Sequence, residues 1–358
     1  MSLNGWKTDK LGNMLTLKRG YDLPQQDRVI GNAPIFSSAG LSGYHNEAKI
    51  KGPGVITGRY GTLGEIFYSE NDYWPHNTTL YVRDFKGNYP KFIYYFLRTL
   101  GFERNNDKTS VPGLNRNDLH EMSVTIPSVP AQKKIASILS SLDDKIELNR
   151  QTNATLEAIP QALFKEWFVD FNYPRAFKSA THDDKSEVPQ RWNRGKLGQL
   201  LSFKNGKSSP ERMADHKYPV YGANGVIGHA SVYNTSADST IIGRVGSFCG
   251  AVYYANQDCF VTENAIIATP VTPHSSIYCF IILQNLKLNN YRTGSGQPLL
   301  NQTILSCIDV IVPPDDLLSA FEIQVRPLYD LVYLNEQQNH TLTQLRDSLL
   351  PRLMKGEL

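Results

Sequence analysis

The stretch of sequence that decides the fold is residues 11–20, LGNMLTLKRG, which follow Trp6. The same pattern returns after Trp192 as residues 197–206, LGQLLSFKNG, at an offset of 186 positions. Self-similarity at one fixed offset indicates a duplicated structural unit. The 358-residue chain is therefore expected to form two related units rather than one large core.

The same offset holds along the rest of the chain. Five further elements keep their order and their spacing to within two residues. The matching pairs are residues 34–43 with 219–228, residues 58–64 (GRYGTLG) with 243–250 (GRVGSFCG), residues 114–115 with 300–301, residues 126–127 with 312–313, and residues 148–149 with 334–335. Chance does not preserve one offset across so many elements, so the chain is a tandem duplication with divergent side chains in a shared frame.

Each copy begins with a globular part and ends with a helical part. Short β-type runs, Gly-, Pro- and Asn-rich connections and one helix-like segment per copy, residues 92–98 and 277–283, predict a mixed α/β (α+β) globule. The predicted domains are residues 1–127 and 187–312 for two homologous globules, 128–172 and 313–358 for two long helices, and 173–186 for a linker.

The two helical parts carry a heptad pattern. From Ala131 onward, seam residues alternate at steps of four and three, which is typical of a coiled coil. The predicted seam consists of Ile135, Leu139, Leu142, Ile146, Asn149, Asn153 and Leu156 in the first helix, and of Val325, Leu328, Val332, Asn335, Asn339 and Leu342 in the second. Both seams contain two consecutive Asn at the same place, a polar interruption that fixes register at some cost in stability.

Two arrangements fit this pattern: an antiparallel or parallel helix pair, and single amphipathic helices that each lie on their own globule. The pair is favoured because both helices greatly exceed the usual length of about 11 to 12 residues and share the polar interruption. About 30 helical residues extend roughly 45 Å, the length of about 13 base pairs of duplex DNA. Pro160 lies inside the first seam, where a proline bends or breaks a helix.

Charge and composition set broad limits. The formal net charge is only +3, but Lys and Arg outnumber Asp and Glu by three in each globule, residues 1–127 and 187–312, which suggests two anion-facing units. No apolar run approaches the roughly 20 residues that cross a bilayer, and the first residues do not resemble a signal peptide. A soluble, cytoplasmic protein without a membrane partner is expected.

The motifs of common enzymes and metal sites are absent from the sequence. It contains no phosphate-binding loop, dinucleotide fingerprint, zinc-protease motif or nucleophile elbow. Its four Cys include no C-x-x-C pair, and its eight His never pair at i, i+4 and are expected in surface or loop positions. We therefore expect no catalytic residue and no metal ligand in this chain, and reduced, packed cysteines.

Binding chemistry remains. Arg59, followed by Tyr60, and Arg244 each stand between glycines, which allow close backbone approach while a guanidinium binds phosphate or a guanine edge. The alternative is a tight hairpin whose Arg pairs with a local acid. The other candidate DNA-binding residues are basic or polar residues at the ends of apolar segments and in loops: Lys18, Arg19, Lys108, Thr109, Arg116, Lys204, Lys207, Arg292 and Gln297.

The whole pattern resembles the DNA-specificity (S) subunits of type I restriction-modification systems. The residues that carry the resemblance are the W-x4-LG start of each half, the G-R-x-G elements, the GLNRNDL run at 113–119 with PLLNQ at 298–302, the Ile-Pro and Val-Pro entries to the helices, and LFKEWFVDF at 163–171. They span nearly the whole chain. The second entry, VPPDDL at 312–317, departs from the Pro-Leu-x-Glu-Gln type usual in the family.

The resemblance implies a non-catalytic subunit with two target-recognition domains at opposite ends of an antiparallel coiled coil. Each domain would read one half of a split double-stranded DNA target, and the helices would set the unread gap. Methyltransferase (M) subunits and a restriction/translocase (R) subunit would dock on it. This chain would hold no cofactor, because S-adenosylmethionine, ATP and Mg would bind the partner subunits. A duplicated coiled-coil scaffold that binds protein or glycan is the alternative.

Overall fold

The computed structural model describes residues 5–102, 113–174, 189, 191–294 and 298–357. The candidate residues Lys108, Thr109 and Gln297, and most of the predicted linker, lie outside these ranges. The chain forms two compact units, Met1–Leu148 with Gln338–Leu358, and Asn149–Gln337. Each unit therefore combines one globular repeat with parts of both long helices.

The described part of the first repeat contains nine strands and three short α-helices. The strands are β1 (Trp6–Lys10), β2 (Thr16–Arg19), β3 (Ala33–Ser37), β4 (Gly40–His45), β5 (Gly54–Gly58), β6 (Ile66–Ser69), β7 (Trp74–Pro75), β8 (Thr79–Asp84) and β9 (Ser123–Pro127). The helices are α1 (Leu11–Met14), α2 (Pro90–Arg98) and α3 (Arg116–Glu121). The long helix α4 (Val129–Phe164) follows and ends in a π-helical turn, Lys165–Val169.

The second repeat contains the same strand series. Its strands are β10 (Asn193–Lys196), β11 (Leu201–Asn205), β12 (Tyr218–Gly222), β13 (Gly225–Ala230), β14 (Ser239–Gly243), β15 (Val252–Ala255), β16 (Phe260–Val261), β17 (Ala265–Pro270) and β18 (Asp309–Val312). Its helices are α5 (Ser276–Asn285) and α6 (Gln302–Ser306), and the second long helix is α7 (Asp315–Met354).

Both repeats share one topology. The first forms sheets in the orders β1-β9, β2-β8-β5-β6 and β4-β3-β7, and the second forms β10-β18, β11-β17-β14-β15 and β13-β12-β16. Every strand of one repeat thus has a counterpart with the same neighbours in the other. The predicted mixed α/β class and the duplication are confirmed.

The motif that opens each copy is explained by its place in the fold. The first strand of each repeat pairs antiparallel with the strand that leads into the long helix, β1 with β9 and β10 with β18. The backbone N–H of Leu11 then donates to Met122 O at 2.8 Å, and that of Leu197 to Ile308 O at 2.8 Å. Both leucines are fully buried. The W-x4-LG and Ile-Pro or Val-Pro elements therefore recur together because they lie side by side.

The long helices run antiparallel within each unit. In the first unit, Arg346 Nη1 of α7 donates to Asp143 Oδ1 of α4 at 2.7 Å. In the second, Asn335 Nδ2 donates to Asn153 Oδ1 at 2.8 Å, and Asn153 Nδ2 donates to Val332 O at 3.2 Å. Seam asparagines thus bond across the pair, so the polar interruption fixes register in the way expected of coiled coils.

The seam residues differ in burial. Those that are buried are Ile135, Leu139, Ile146, Asn149, Val325 and Val332, and those that are half-buried are Leu142, Asn153, Leu156, Leu328, Asn335, Asn339 and Leu342. The start of each helix also packs into the core of its own repeat, α4 through Ile135 and α7 through Phe321 and Val325. Both arrangements considered from the sequence therefore hold, because each helix lies on its own globule and pairs with the other helix.

Helix α4 continues through Pro160, which is buried. The π-helical turn after it contributes Trp167 and Phe168, which meet Phe321 of α7 at ring-centroid distances of 5.9 and 5.0 Å. This aromatic cluster fills the second repeat's core where α4 ends. Among the described residues, no helix is long and apolar enough to cross a membrane.

A buried polar network anchors the second repeat to α7. Glu322, only 3% exposed, accepts hydrogen bonds from Ser276 Oγ at 2.7 Å and from the backbone N–H of Ile277 at 3.1 Å, at the first turn of α5. Arg326 pairs with Glu322 and with Asp238, and its Nη2 donates to Ser276 Oγ at 2.6 Å. The Glu322 carboxylate thus shares the neutralisation of the Arg326 guanidinium with Asp238. It also accepts from the Ile277 N–H, which has no partner within α5 because it lies in the first turn.

The cysteines follow the expectation in part. Cys249, Cys259 and Cys279 are free and buried, and burial raises the pKa of each thiol. Cys307 is free but exposed, because it lies at the end of the short helix α6 on the outside of the repeat. Three of the four therefore act as small apolar core residues.

Candidate nucleic-acid interface

A single turn in each repeat holds the candidate basic elements together. In the first repeat, the backbone N–H of Gly20 donates to Thr79 O at 3.0 Å and that of Arg59 donates to Thr78 O at 2.8 Å. The turn between β7 and β8, residues 76–78, is called the central turn of the first repeat. The end of β2, with Lys18 and Arg19, flanks it on one side, and the end of β5 flanks it on the other.

The second repeat builds the same arrangement. Gly206 N–H donates to Ala265 O at 3.1 Å, and Arg244 N–H donates to Asn264 O at 2.9 Å. Lys207 adds two backbone bonds to the turn, as donor to Val261 O at 3.0 Å and as acceptor from Glu263 N–H at 2.8 Å. The frame is thus held by backbone bonds, so the side chains can diverge without changing it.

Glycine is required where these backbones meet. A Cβ on Gly20 would lie 2.1 Å from His76 O, and one on Gly206 would lie 2.1 Å from Thr262 O. A Cβ on Gly58 would lie 2.0 Å from Thr62 O, and one on Gly243 would lie 2.2 Å from Phe248 O. The glycine before each Arg therefore lets another backbone segment of the same chain come close. The sequence pattern alone does not distinguish this structural role from close approach of a ligand.

The residues that follow the polar segments with Lys108 and Arg292 meet the Gly-Arg elements. The backbone N–H of Leu114 donates to Arg59 O at 2.9 Å, and that of Leu300 donates to Arg244 O at 3.0 Å. Tyr60 bridges Gly113, the first described residue after the loop that holds Lys108 and Thr109. The structure therefore brings Gly113 and Leu114, and in the second repeat Leu299 and Leu300, beside the Gly-Arg elements, although they are far apart in sequence.

The two arginines are half-buried and accessible to an external acceptor. The Arg59 guanidinium lies 4.5 Å from the ring centroid of the exposed Tyr60. Arg244 Nη1 donates to Glu263 O at 3.3 Å, while its Nε is buried without a hydrogen-bond partner among the described residues, so only the outer end of this guanidinium can reach an external acceptor. Within the described ranges neither guanidinium pairs with a carboxylate, so the hairpin-with-local-acid alternative finds no support there.

The remaining basic candidates are mostly exposed. Lys18 Nζ donates to Tyr21 OH at 3.2 Å, and Arg19 Nε donates to Asn77 O at 3.3 Å. The hydrogen bond from Tyr81, together with Lys18, lowers the pKa of Tyr21. Lys204 and Lys207 are exposed at the matching end of β11. Both repeats thus present a pair of cations beside the central turn.

Two candidates lie near the short capping helices. Arg116 is the exposed first residue of α3, which Asn115 caps by accepting from Asn117 N–H at 3.0 Å. Asn301 caps α6 in the same way, accepting from Ile304 N–H at 2.8 Å. The repeated Leu-Asn dipeptide is therefore a buried leucine followed by a helix N-cap. Arg292 is exposed, and its Nε donates to Asn289 O at 2.9 Å.

The central turn itself was missed from the sequence. Asn77 in the first repeat and Glu263 in the second occupy its corresponding positions, 186 residues apart. Asn77 also bonds the side chain of Asp22. Comparison of residues 74–80 with 260–266 at the same offset would have found the turn, but their side chains have diverged too far to attract attention.

His120, expected at the surface, is half-buried and supports the basic end of β2. Its Nε2 accepts a hydrogen bond from the backbone N–H of Leu17 at 2.9 Å. Burial, followed by the charges of Arg116 and Lys86, lowers the pKa of His120. The neutral ring is therefore the form that fits the fold.

This geometry predicts acid-sensitive folding. Because the unfolded chain binds the His120 proton more tightly, stability should be complete above the usual pKa of 6.5 and fall as pH drops below it. The bond contributes about 1 kcal/mol. Urea unfolding at pH 7.5 and 5.5 should show a smaller pH effect for His120→Gln than for the native chain. His229→Gln, in strand β13, is the control, and an equal reduction there would contradict the assignment.

The comparison with known families follows from this geometry. The family model for the type I restriction modification DNA specificity domain matches the chain twice, over residues 4–158 and 189–326. The chain belongs to this family. The two matches fall on the two repeats, the first together with most of α4 and the second together with the beginning of α7.

Individual relatives agree with this membership. The specificity subunit of the type I restriction enzyme MjaIX from Methanocaldococcus jannaschii is 24% identical over 347 residues, covering 86% of this chain and 78% of that protein. The HindI specificity subunit from Haemophilus influenzae is also 24% identical, over 327 residues that cover 69% of this chain and 71% of that protein. The chain is similar to both along most of its length.

A solved structure shares the fold. The crystal structure of the type I restriction-modification S subunit from M. genitalium has a TM-score of 0.68 and 20% identity, and the match covers 97% of this chain and 96% of that chain. As a member of the specificity family, the chain recognises a DNA target within a type I restriction-modification complex and is a non-catalytic subunit. The described residues contain no cluster of three or more His, Cys, Asp or Glu that could hold a metal ion.

Proposed function

We propose that this specificity subunit reads a two-part double-stranded DNA target, with one half-site for each repeat. The observation that carries the proposal is the conserved backbone frame around divergent side chains. In both repeats the same backbone bonds hold an Arg and the end of the strand with its two cations at one turn, and bond the Arg to a buried leucine that follows the polar segment. The same frame fits the same DNA geometry twice, while different side chains select different bases.

The roles of the side chains follow from their chemistry. Exposed lysines such as Lys204 and Lys207 supply phosphate contacts and salt-dependent affinity. Arg59 and Arg244 are the proposed base readers, because a guanidinium matches the guanine edge with two hydrogen bonds. Asn77 and Glu263 stand at corresponding places in the two turns, and their amide and carboxylate favour different bases. Lys18, Arg19, Arg116 and Arg292 complete the described candidate contacts.

We also propose that the long helices dock methyltransferase subunits, with a restriction/translocase subunit joining the assembly. Support comes from apolar side chains that stay exposed at repeat-related positions. Leu148 and Leu334 are 55% and 60% exposed, and Ile159 and Leu345 are 46% and 45% exposed. Large apolar residues exposed at the same places in both copies are typical of a repeated protein contact. S-adenosylmethionine, ATP and Mg would then belong to those partners.

The site of action follows from the DNA partner. We expect the chain to work in the cytoplasm, the compartment that holds the DNA in the prokaryotes from which its relatives come. The experiment that tests the whole proposal is methylation mapping in cells that carry the subunit with its methyltransferase. We expect one methylated motif made of two short half-sites and a fixed unread gap. Salt-insensitive or absent DNA binding would instead favour a protein- or glycan-binding scaffold.

The helices predict the length of the gap. Residues 148–154 and 334–340 correspond at the repeat offset, and seam Asn153 and Asn335 bond to each other. Deleting both segments removes one heptad from each helix and keeps the seam in phase. The loss of about 10 Å should shorten the unread gap by about three base pairs.

Methylation mapping of the assembled complex measures that change. The matched control exchanges residues 151–154, QTNA, with residues 337–340, QQNH, so that helix length is unaltered and Glu336 stays in place. Both half-sites should stay the same in both variants, and the control should keep the native gap. A deletion variant that methylates the native motif would show that the helices do not set the spacing.

A further inference from the structure

A cavity of about 720 Å³ lies within the second unit and serves neither the proposed DNA contacts nor the core. Its walls come from α4, the β12–β13 hairpin, β15, α5 and α7. The side chains that give it chemical character are the carboxylates of Glu157 and Glu336 and five aromatic rings, of which Tyr221, Tyr254, Phe280 and Tyr329 enter the argument with Tyr253 beside them.

The two carboxylates carry uncompensated charge. Burial, and then the negative charge of Glu157, raise the pKa of Glu336. No Lys or Arg lines the cavity, and neither carboxylate forms an ion pair or hydrogen bond with any residue that the structure describes. Two acids that share a partly desolvated site favour a cation between them.

The aromatic rings suit the same kind of ligand. Tyr329 lies 5.6 Å from Tyr254 and 6.1 Å from Phe280 between ring centroids, so these rings hold one another in place. Tyr221 is 8% exposed, and its hydroxyl has no hydrogen-bond partner among the described residues. This unpaired hydroxyl can donate a hydrogen bond to a docked side chain or accept one from it. Carboxylates with aromatic faces are the usual surroundings of a bound ammonium or guanidinium.

The first unit shows what is missing in the second. There, Asp143 of α4 accepts from Tyr95 OH at 2.6 Å and from Arg346 Nη1 at 2.7 Å. At the repeat offset, Arg346 corresponds to Pro160, and Asp143 corresponds to Tyr329. The first unit therefore places its own arginine against the acid of its helix pair. In the second unit Arg326 donates to Tyr254 OH at 3.0 Å, but its ion pairs are with Asp238 and Glu322, which leaves Glu157 and Glu336 without a described cation.

We propose that the cavity receives a Lys or Arg side chain from the methyltransferase subunit that docks on the second unit. This inference rests on the proposed docking function and names one anchor of it. A protein donor is favoured over a free amine because the cavity also has an apolar lining, Ala154, Ala158 and the 50% exposed Val226, which a docked chain would cover. A buried basic anchor with apolar surroundings is typical of an interface hot spot.

The test compares charge-neutral variants of the full-length chain in binding the methyltransferase subunit. Glu157→Gln with Glu336→Gln should weaken binding about 30-fold or more, because it removes the partners of a buried charge. Tyr221→Phe should weaken it about 3-fold to 10-fold, as expected for one neutral hydrogen bond. Glu157 and Glu336 are exposed, so the matched control, Asp144→Asn with Asp330→Asn, removes the same charge from exposed positions of the same helices outside the cavity, and it should change binding less than about 3-fold.

Titration calorimetry at two salt concentrations gives the affinities, and thermal unfolding checks that the variants fold. Equal affinity of the cavity variant and the control would overturn the inference and leave the docking function intact. A second outcome would also overturn it. In that outcome the isolated chain binds spermidine, the cavity variant does not, and both bind the methyltransferase subunit equally well. A native chain that does not bind the methyltransferase at all would overturn the docking function together with the inference.

Discussion

Arg59→Ala is expected to weaken recognition of one half-site by about 5-fold to 150-fold and to leave the other half-site unchanged. The physical reason is the loss of a bidentate guanidinium contact, worth about 1 to 3 kcal/mol of base discrimination. Arg244→Ala should have the same effect on the other half-site. The two arginines hold equivalent backbone positions. The N–H of each donates to its central turn, and the C=O of each accepts from the N–H of a buried leucine, Leu114 or Leu300.

The measurement is binding of the assembled methyltransferase complex to duplexes in which one half-site at a time is altered. Arg83→Ala, at an exposed position of strand β8, removes the same charge from the first repeat and serves as control. Arg59→Lys keeps the charge but loses the planar fork, so it should retain affinity and lose selectivity. An equal loss on both half-sites, or none, would contradict the assignment of one reader to each repeat.

Glu322→Ala is expected to lower the free energy of unfolding by about 3 to 5 kcal/mol, because it leaves Arg326 partly buried with one carboxylate fewer. It also removes the acceptors of Ser276 Oγ and of the Ile277 N–H at the start of α5. Since the lost bonds lie between the second repeat and α7, the second unit should unfold first. Urea unfolding followed by hydrogen exchange would locate the loss.

The control for this change is Asp330→Asn, which neutralises an exposed acid on the same helix and should alter stability by less than about 0.5 kcal/mol. Glu322→Gln should have an intermediate effect, because its amide oxygen can still accept from Ile277 while the charge facing Arg326 is gone. A native-like stability of Glu322→Ala would show that the network adds nothing beyond the packing of Phe321 and Val325.

Much of the fold could be predicted from the sequence because its signals are local or repeated. The heptad spacing predicts both long helices, which are observed as α4 and α7. The helix-like segments 92–98 and 277–283 correspond to α2 and α5. Recurrence of the same motifs in both copies predicts one shared topology, since a repeated backbone frame needs the same glycines and buried leucines.

The candidate site could be predicted only in part. The Gly-Arg elements were found because glycines flank each Arg, yet Gly58 and Gly243 proved to accommodate backbone rather than to reveal a ligand surface. The sequence does not reveal the central turns with Asn77 and Glu263, because residues 74–80 and 260–266 have no identical residue at corresponding positions. His120 was placed at the surface, since nothing in its local sequence shows that it accepts from Leu17.

The sequence by itself determined the duplication, the order of elements and the seam of the helix pair, because these are properties of spacing along the chain. The tertiary structure decided which residues meet. Gly20 reaches Thr79, Glu322 reaches Ile277, and Asp143 finds Arg346, while Glu336 finds no cation among the described residues. Hydrogen bonds and ion pairs depend on distances of a few ångströms between remote segments, and only the folded chain sets those distances.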